Sequence, residues 1–142
     1  MAKSKYDEAQ LHELLYQALE TEAGGIEIYE TAISCAANDD LKEEWSGYLK
    51  ETRGHHKKLM EVFDKLGIDP EKQTPGRKVV AHIGRSLVKA MEMAREEGDA
   101  DAAQLVAGEC VVLAETKDHM NWELIGHVAQ NSSGDTAKIL KE

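Results

Sequence analysis

Two five-residue stretches of this chain nearly repeat each other, Glu51-Thr52-Arg53-Gly54-His55 and Glu115-Thr116-Lys117-Asp118-His119, and each lies inside a long helix-forming run. Four residues advance an α-helix by about 400°, so each Glu and its His stand roughly 40° apart, one turn from each other on one face. A carboxylate and an imidazole so placed can reach one cation together, as oxygen and nitrogen donors to a divalent metal. On a solvated surface the same spacing gives only a side-chain pair worth about 0.2–0.5 kcal/mol of helix stability. The two readings differ in whether polar groups from other helices converge on the same point.

One such group stands in the first helix-forming run. Leu11, Leu15, Ala18, Ile26, Tyr29, Ile33 and Ala36 share a stripe, and Glu22 lies within about 40° of every one of them. A carboxylate in the middle of a core stripe requires a cation, a metal or a proton, because an unpaired buried charge costs several kcal/mol. Glu20 and Glu27 project to the opposite side. Gly24 and Gly25, just beyond Glu22, let either another helix or a ligand approach, or mark only a tight helix contact. In the second run, Leu41, Trp45, Tyr48, Thr52, His55, Leu59, Val62 and Leu66 alternate at four and three, so His55 reads as a core histidine with Glu51 at the edge of its stripe.

The last long run is apolar almost all round from Ala102 to Ala114, with Glu109 as its one charged residue, and reads as a buried central helix. Glu109, Thr116, Glu123 and His127 share one face, and Glu115 and His119 flank it about a quarter turn away. One of these faces is expected to meet Glu22 and His55, which leaves Glu109 and Glu115 as competitors. Glu123 and His127 read as a solvated pair. A further run carries the stripe Val80, Ile83, Leu87, Met91 and Ala94, with no acid or imidazole in it, and reads as packing; His82 and Glu92 point away.

The elements that must hold these residues follow from composition and punctuation. The chain has 142 residues and only two prolines, both between positions 70 and 75. Its abundance of Ala, Leu, Glu, Lys and Gln favours helix over sheet. The expected architecture is all-α, an antiparallel four-helix bundle in a single domain over 1–142. Helices are expected near 8–37, 40–66, 75–97 and 99–130, with a C-terminal stub at 135–142. Asp7 with Gln10 resembles a capping box, Asn38-Asp39-Asp40 is rich in N-cap residues, and Thr74 followed by Pro75 opens the third helix. The stretch from Gly67 to Gly76 is the longest connection and is expected to cross the bundle.

With 27 Asp+Glu against 17 Lys+Arg the formal charge is −10, which repels phosphate backbones and anionic membranes. Nucleic acid and membrane are therefore not expected as partners, whereas metal ions are expected from the Glu and His spacing, since solvated acidic helices alone would give the same charge. Cys35 and Cys110 form no Cys-x-x-Cys motif, the N-terminus has no apolar signal core, and no stretch reaches the length of a membrane span, so a cytoplasmic protein is expected.

Glu22 followed by Tyr29, together with the region around His55, resembles the rubrerythrin branch of the ferritin-like superfamily. Runs similar to Glu27-Ile28-Tyr29-Glu30-Thr31-Ala32 and Leu113-Ala114-Glu115-Thr116-Lys117-Asp118-His119 occur in an uncharacterised bacterial ferritin-like group. The resemblance implies a carboxylate-bridged iron pair, with manganese or zinc as other occupants, and Fe(II) oxidation or peroxide reduction as the chemistry. It would use Glu22 as bridging or terminal ligand, Glu51 with His55 and Glu115 with His119 on one metal each, Glu109 as a competing ligand, and Tyr29 nearby as a donor or redox partner. The superfamily places its Glu three residues before His, where this chain has Thr52 and Thr116. That departure leaves a mononuclear zinc-type site, or a non-enzymatic interaction protein with a metal-free site, as alternatives. The resemblance also implies a further acidic, His-containing helix, so ligands are either missing here or supplied by another subunit, and with apolar helix faces left to cover a homodimer is the expected assembly.

Overall fold

The computed structural model describes residues 7–130 and 139–140, and every regular element among them is helical. Four long helices run Glu8–Cys35 (α1), Asp39–Leu66 (α2), Pro75–Glu96 (α3) and Ala100–Gln130 (α4). Their ends are set by local chemistry. Asp7 accepts hydrogen bonds from the backbone N–H groups of Ala9 and Gln10, Asn38 from Leu41, and Thr74 from Arg77 with Pro75 in the first turn. Each satisfies amide donors that a helix start leaves unpaired. Gly67 closes α2 at φ 70° and Gly98 follows α3 at φ 86°, a left-handed backbone that glycine adopts without steric cost. The stub expected at 135–142 lies outside the described residues except for Ile139 and Leu140, which are helical.

α1 packs against each of the other three helices, and α3 also packs against α4. Between α2 and α4 there is no close backbone approach among the described residues; long side chains bridge that wider gap. The element at the centre is thus α1. The expectation of a buried central α4 is corrected: its outward face leaves Leu105 72%, Val112 63% and Leu113 56% exposed. An all-apolar stretch does not reveal which of its sides is covered.

Successive helices run in opposite directions. Arg77 meets Glu20, Gly84 faces Gly24 and Met91 takes the Cys35 thiol, so α3 runs parallel to α1. The 67–74 connection therefore remains at one end of the bundle instead of traversing its length, and links α2 to α3 past the N-terminal turns of α1. Arg77 pins it there. This guanidinium, 7% exposed, donates to Glu20 and to the carbonyls of Pro70 and Lys72.

The core has two apolar clusters. One gathers Leu11, Leu15, Leu19, Leu59, Phe63 and Ile125, and the other Ile28, Tyr29, Trp45, Met91, Ala107 and Val111. Between them, at the middle of α1, α2 and α4, lies a layer that contains Glu22, Thr52, His55, Asp118 and Asn121.

Candidate metal centre

Glu22 is the buried anchor of this layer, only 1% exposed. Its position in the apolar stripe of α1 brings it to the wide gap between α2 and α4. His55 approaches from α2, with Nδ1 3.6 Å from Glu22 Oε1, and Trp122 of α4 donates its indole N–H to the same oxygen at 2.8 Å. Asp118, one turn before Trp122, completes a group in which one ligand atom each of Glu22, His55 and Asp118 lie within 4.8 Å of one another. The rings of His55 and Trp122 contact at 5.5 Å between centroids.

Two features of this cluster mark it as unfinished without a cation or a proton. His55 Nδ1 is a buried nitrogen with no hydrogen-bond partner among the described residues, since 3.6 Å exceeds hydrogen-bond reach. The Glu22 carboxyl is pushed up to about 9, first by burial, then by its hydrogen bond with Asp118 and the negative charges of Asp118 and Glu115. The Trp122 N–H pulls the other way. Carboxylates crowded this closely resist joint ionisation, and a cation between them removes the conflict.

Glu115 stands beside the cluster. The Tyr29 hydroxyl donates to Glu115, and burial followed by that hydrogen bond raises the phenol above its ordinary range. Thus the face of α4 that meets Glu22 carries Glu115, Asp118 and Trp122, spaced three and four. Glu109 lies on another side, exposed, at a groove shared with Leu41 and Trp45. Glu51 and His119 are also exposed and stand outside the three-residue group. Of the six residues singled out from sequence, Glu22 and His55 come together, Glu115 touches their surroundings through Tyr29, and Glu51, Glu109 and His119 are not gathered with them.

The two near-repeats are therefore used in different rotations. The first turns its second and fifth residues toward the polar layer, Thr52 and His55; the second turns its first and fourth that way, the exposed Glu115, held by Tyr29, and the half-buried Asp118. One residue of offset rotates a helix by about 100°, enough to exchange the imidazole for a carboxylate. Thr52 donates its hydroxyl to the Tyr48 carbonyl and places its methyl 3.3 Å from where a side chain on Gly25 would begin. Thr116 bonds the Val112 carbonyl. Both threonines act as packing or helix-surface groups.

Sequence reasoning missed Asp118 and Trp122. The signal was present in Glu115-x-x-Asp118-x-x-x-Trp122, a stripe at helical spacing, but pairing each Glu with a His four residues on looked past it. At the chemical level one imidazole and two carboxylates form a small donor set suited to iron, manganese or zinc. The His55 side chain is 40% exposed while Glu22 is 2% exposed, so the group opens to solvent on the α2 side. No helix of the described residues is long and apolar enough to cross a membrane. Neither the curated proteins nor the solved structures include a match to this chain. A family model described as domain of unknown function DUF892 does match, over residues 7–117, and with that span and this helical bundle the chain belongs to that ferritin-like family.

Proposed function

We propose that this protein binds a transition-metal ion between α1, α2 and α4, with Glu22, His55 and Asp118 as ligands. The observation that carries the reading is the orphaned, buried Nδ1 of His55, 3.6 Å from Glu22 Oε1, in a group where one ligand atom each of His55, Glu22 and Asp118 lie within 4.8 Å of one another. A core histidine kept only for packing would have its ring nitrogens bonded. Iron is the proposed occupant, with manganese and zinc as competitors for the same donors. Three ligands describe a mononuclear centre; Glu115, beside Tyr29, is the nearest acid that a second ion would recruit. Fe(II) oxidation or peroxide reduction is the chemistry an iron ion would supply here. The half-exposed His55 side leaves room for a small oxidant, and Tyr29 donates its hydroxyl proton in a hydrogen bond to Glu115 at the edge of the group.

Elemental analysis of the purified chain, before and after anaerobic Fe(II), Mn(II) or Zn(II) addition, tests the reading. One equivalent of metal is expected, lost in both Glu22→Gln and His55→Ala. Absence of uptake from all three metals by the wild-type chain would sink it.

One observation favours a second reading, a metal-free polar layer in a non-enzymatic bundle. Glu22 protonated, bonded to Asp118 and accepting from Trp122, is a self-consistent state. In that case His55→Ala lowers stability and leaves metal content at zero in both proteins.

A further inference from the structure

On the far side of α1 from Glu22, a cavity of about 260 Å³ opens between α1, α3 and α4. Its α1 residues, Thr21, Gly24 and Ile28, lie at least about 100° round the helix from Glu22, so this space is separate from the metal group. Two glycines make its floor. A Cβ on Gly84 would stand 4.0 Å from the Gly24 Cα, so α1 and α3 approach closely here, yet a Cβ on Gly24 would meet nothing within 4 Å. Ile28, Val80, Ile83, Leu87, Leu113 and Ala114 line the walls. Ile83 and Leu113 are more than half exposed at the mouth, an arrangement that a bound apolar chain would cover.

Among the described residues, the rim carries a cation without a matching anion. Lys117 donates to two neutral amide oxygens, Asn121 Oδ1 at 2.8 Å and Gln17 Oε1 at 3.5 Å. Asn121 is in turn held by Thr21, and the acid Glu13 is reached only through Gln17. Glu20, also at the rim, is engaged by Arg77 at 3.1 Å. An ammonium has three donors, so one remains for a ligand.

We propose that this cavity binds a short aliphatic carboxylate, its hydrocarbon chain between α1, α3 and α4 and its carboxylate on Lys117 Nζ. The cavity is slightly smaller than the roughly 300 Å³ at which ordinary small-molecule sites begin, which selects a thin, unbranched chain of octanoate size. The site is independent of the metal centre and needs no ion there.

The test is a ¹⁵N NMR titration of the full chain with octanoate, and with 1-octanol as the uncharged probe of equal length. Saturable shifts at Gly24, Ile28, Gly84, Leu113 and Lys117 are expected, with octanol about tenfold weaker for want of a charge-assisted bond. Lys117→Met should reduce octanoate affinity by about the same tenfold and leave octanol unchanged. Gly24→Leu, whose side chain would fill the open floor, should abolish both. Lack of saturation, equal affinity for octanoate and octanol, or no effect of Lys117→Met would each overturn the proposal. So would shifts that follow protein concentration instead of octanoate, which would mean that a second copy covers the slot. The Lys117→Met comparison decides even if Gly24→Leu fails to fold.

Discussion

A carboxyl group placed as Glu22 is can avoid an unpaired buried charge with a proton or with a cation, and the two respond oppositely to pH. In the metal-free protein its value of about 9 lies above the 4.5 of an unstrained glutamate, so the folded state holds a proton that the unfolded chain has released. The stability tied to that proton is complete below pH 4.5 and is lost as pH rises toward 9. Urea unfolding of metal-free protein should therefore show a loss of about 1.4 kcal/mol per pH unit between these limits from this group. Glu22→Gln keeps the shape and a hydrogen-bond acceptor for Trp122 and should flatten that slope; an unchanged slope would show that Glu22 is not the titrating group. Metal binding reverses the dependence, since an ion displaces the proton. Apparent affinity should rise up to about tenfold per pH unit toward 9, with close to one proton released per ion as measured by calorimetry in buffers of different ionisation enthalpy.

At the scale of the helices, the connection between α2 and α3 depends on one side chain. Arg77 satisfies Glu20 and the carbonyls of Pro70 and Lys72, and Arg77→Met leaves all three without it. A cost of about 2–4 kcal/mol is expected in chemical denaturation, because buried partners of a removed charge remain unpaired. Gly24→Ala is expected to act in the opposite sense and stabilise by about 0.5–1 kcal/mol, since the new methyl meets nothing and the helix gains rigidity. The elements were legible where their determinants are local. Asp7, Thr74-Pro75 and Gly67 act on backbone groups within a few residues, so their roles can be read without knowing the fold. Glu22 was legible for a related reason, as a charge in an otherwise apolar stripe. The side of α4 that meets it was not, because Ala102 to Ala114 is apolar in every direction and hydrophobicity selects no face. Asp118 and the central position of α1 depend on how helices far apart in sequence are rotated against each other.

Over the whole molecule, the two apolar clusters each bind α1 to α2 and α4, and the polar layer divides them. That layer holds the buried His55 Nδ1, which has no hydrogen-bond partner among the described residues, beside the crowded carboxyls of Glu22 and Asp118. An ion ligated by Glu22, His55 and Asp118 would join three helices at this level. Stabilisation follows from linkage and amounts to about 2.7 kcal/mol when free metal is a hundredfold above its dissociation constant. Its distribution is the sharper test. α3 contributes no ligand to the group and packs on the other side of α1, so hydrogen exchange should slow around Glu22, His55 and Asp118 and change far less in Val80–Met91. Protection gained uniformly along all four helices would instead indicate that metal acts through net charge, by neutralising part of the −10 that the chain carries. The two mechanisms also part in salt. Screening would erase a stabilisation that comes from the overall charge, whereas ligation inside the bundle would persist at an ionic strength where the Debye length falls to about 3 Å.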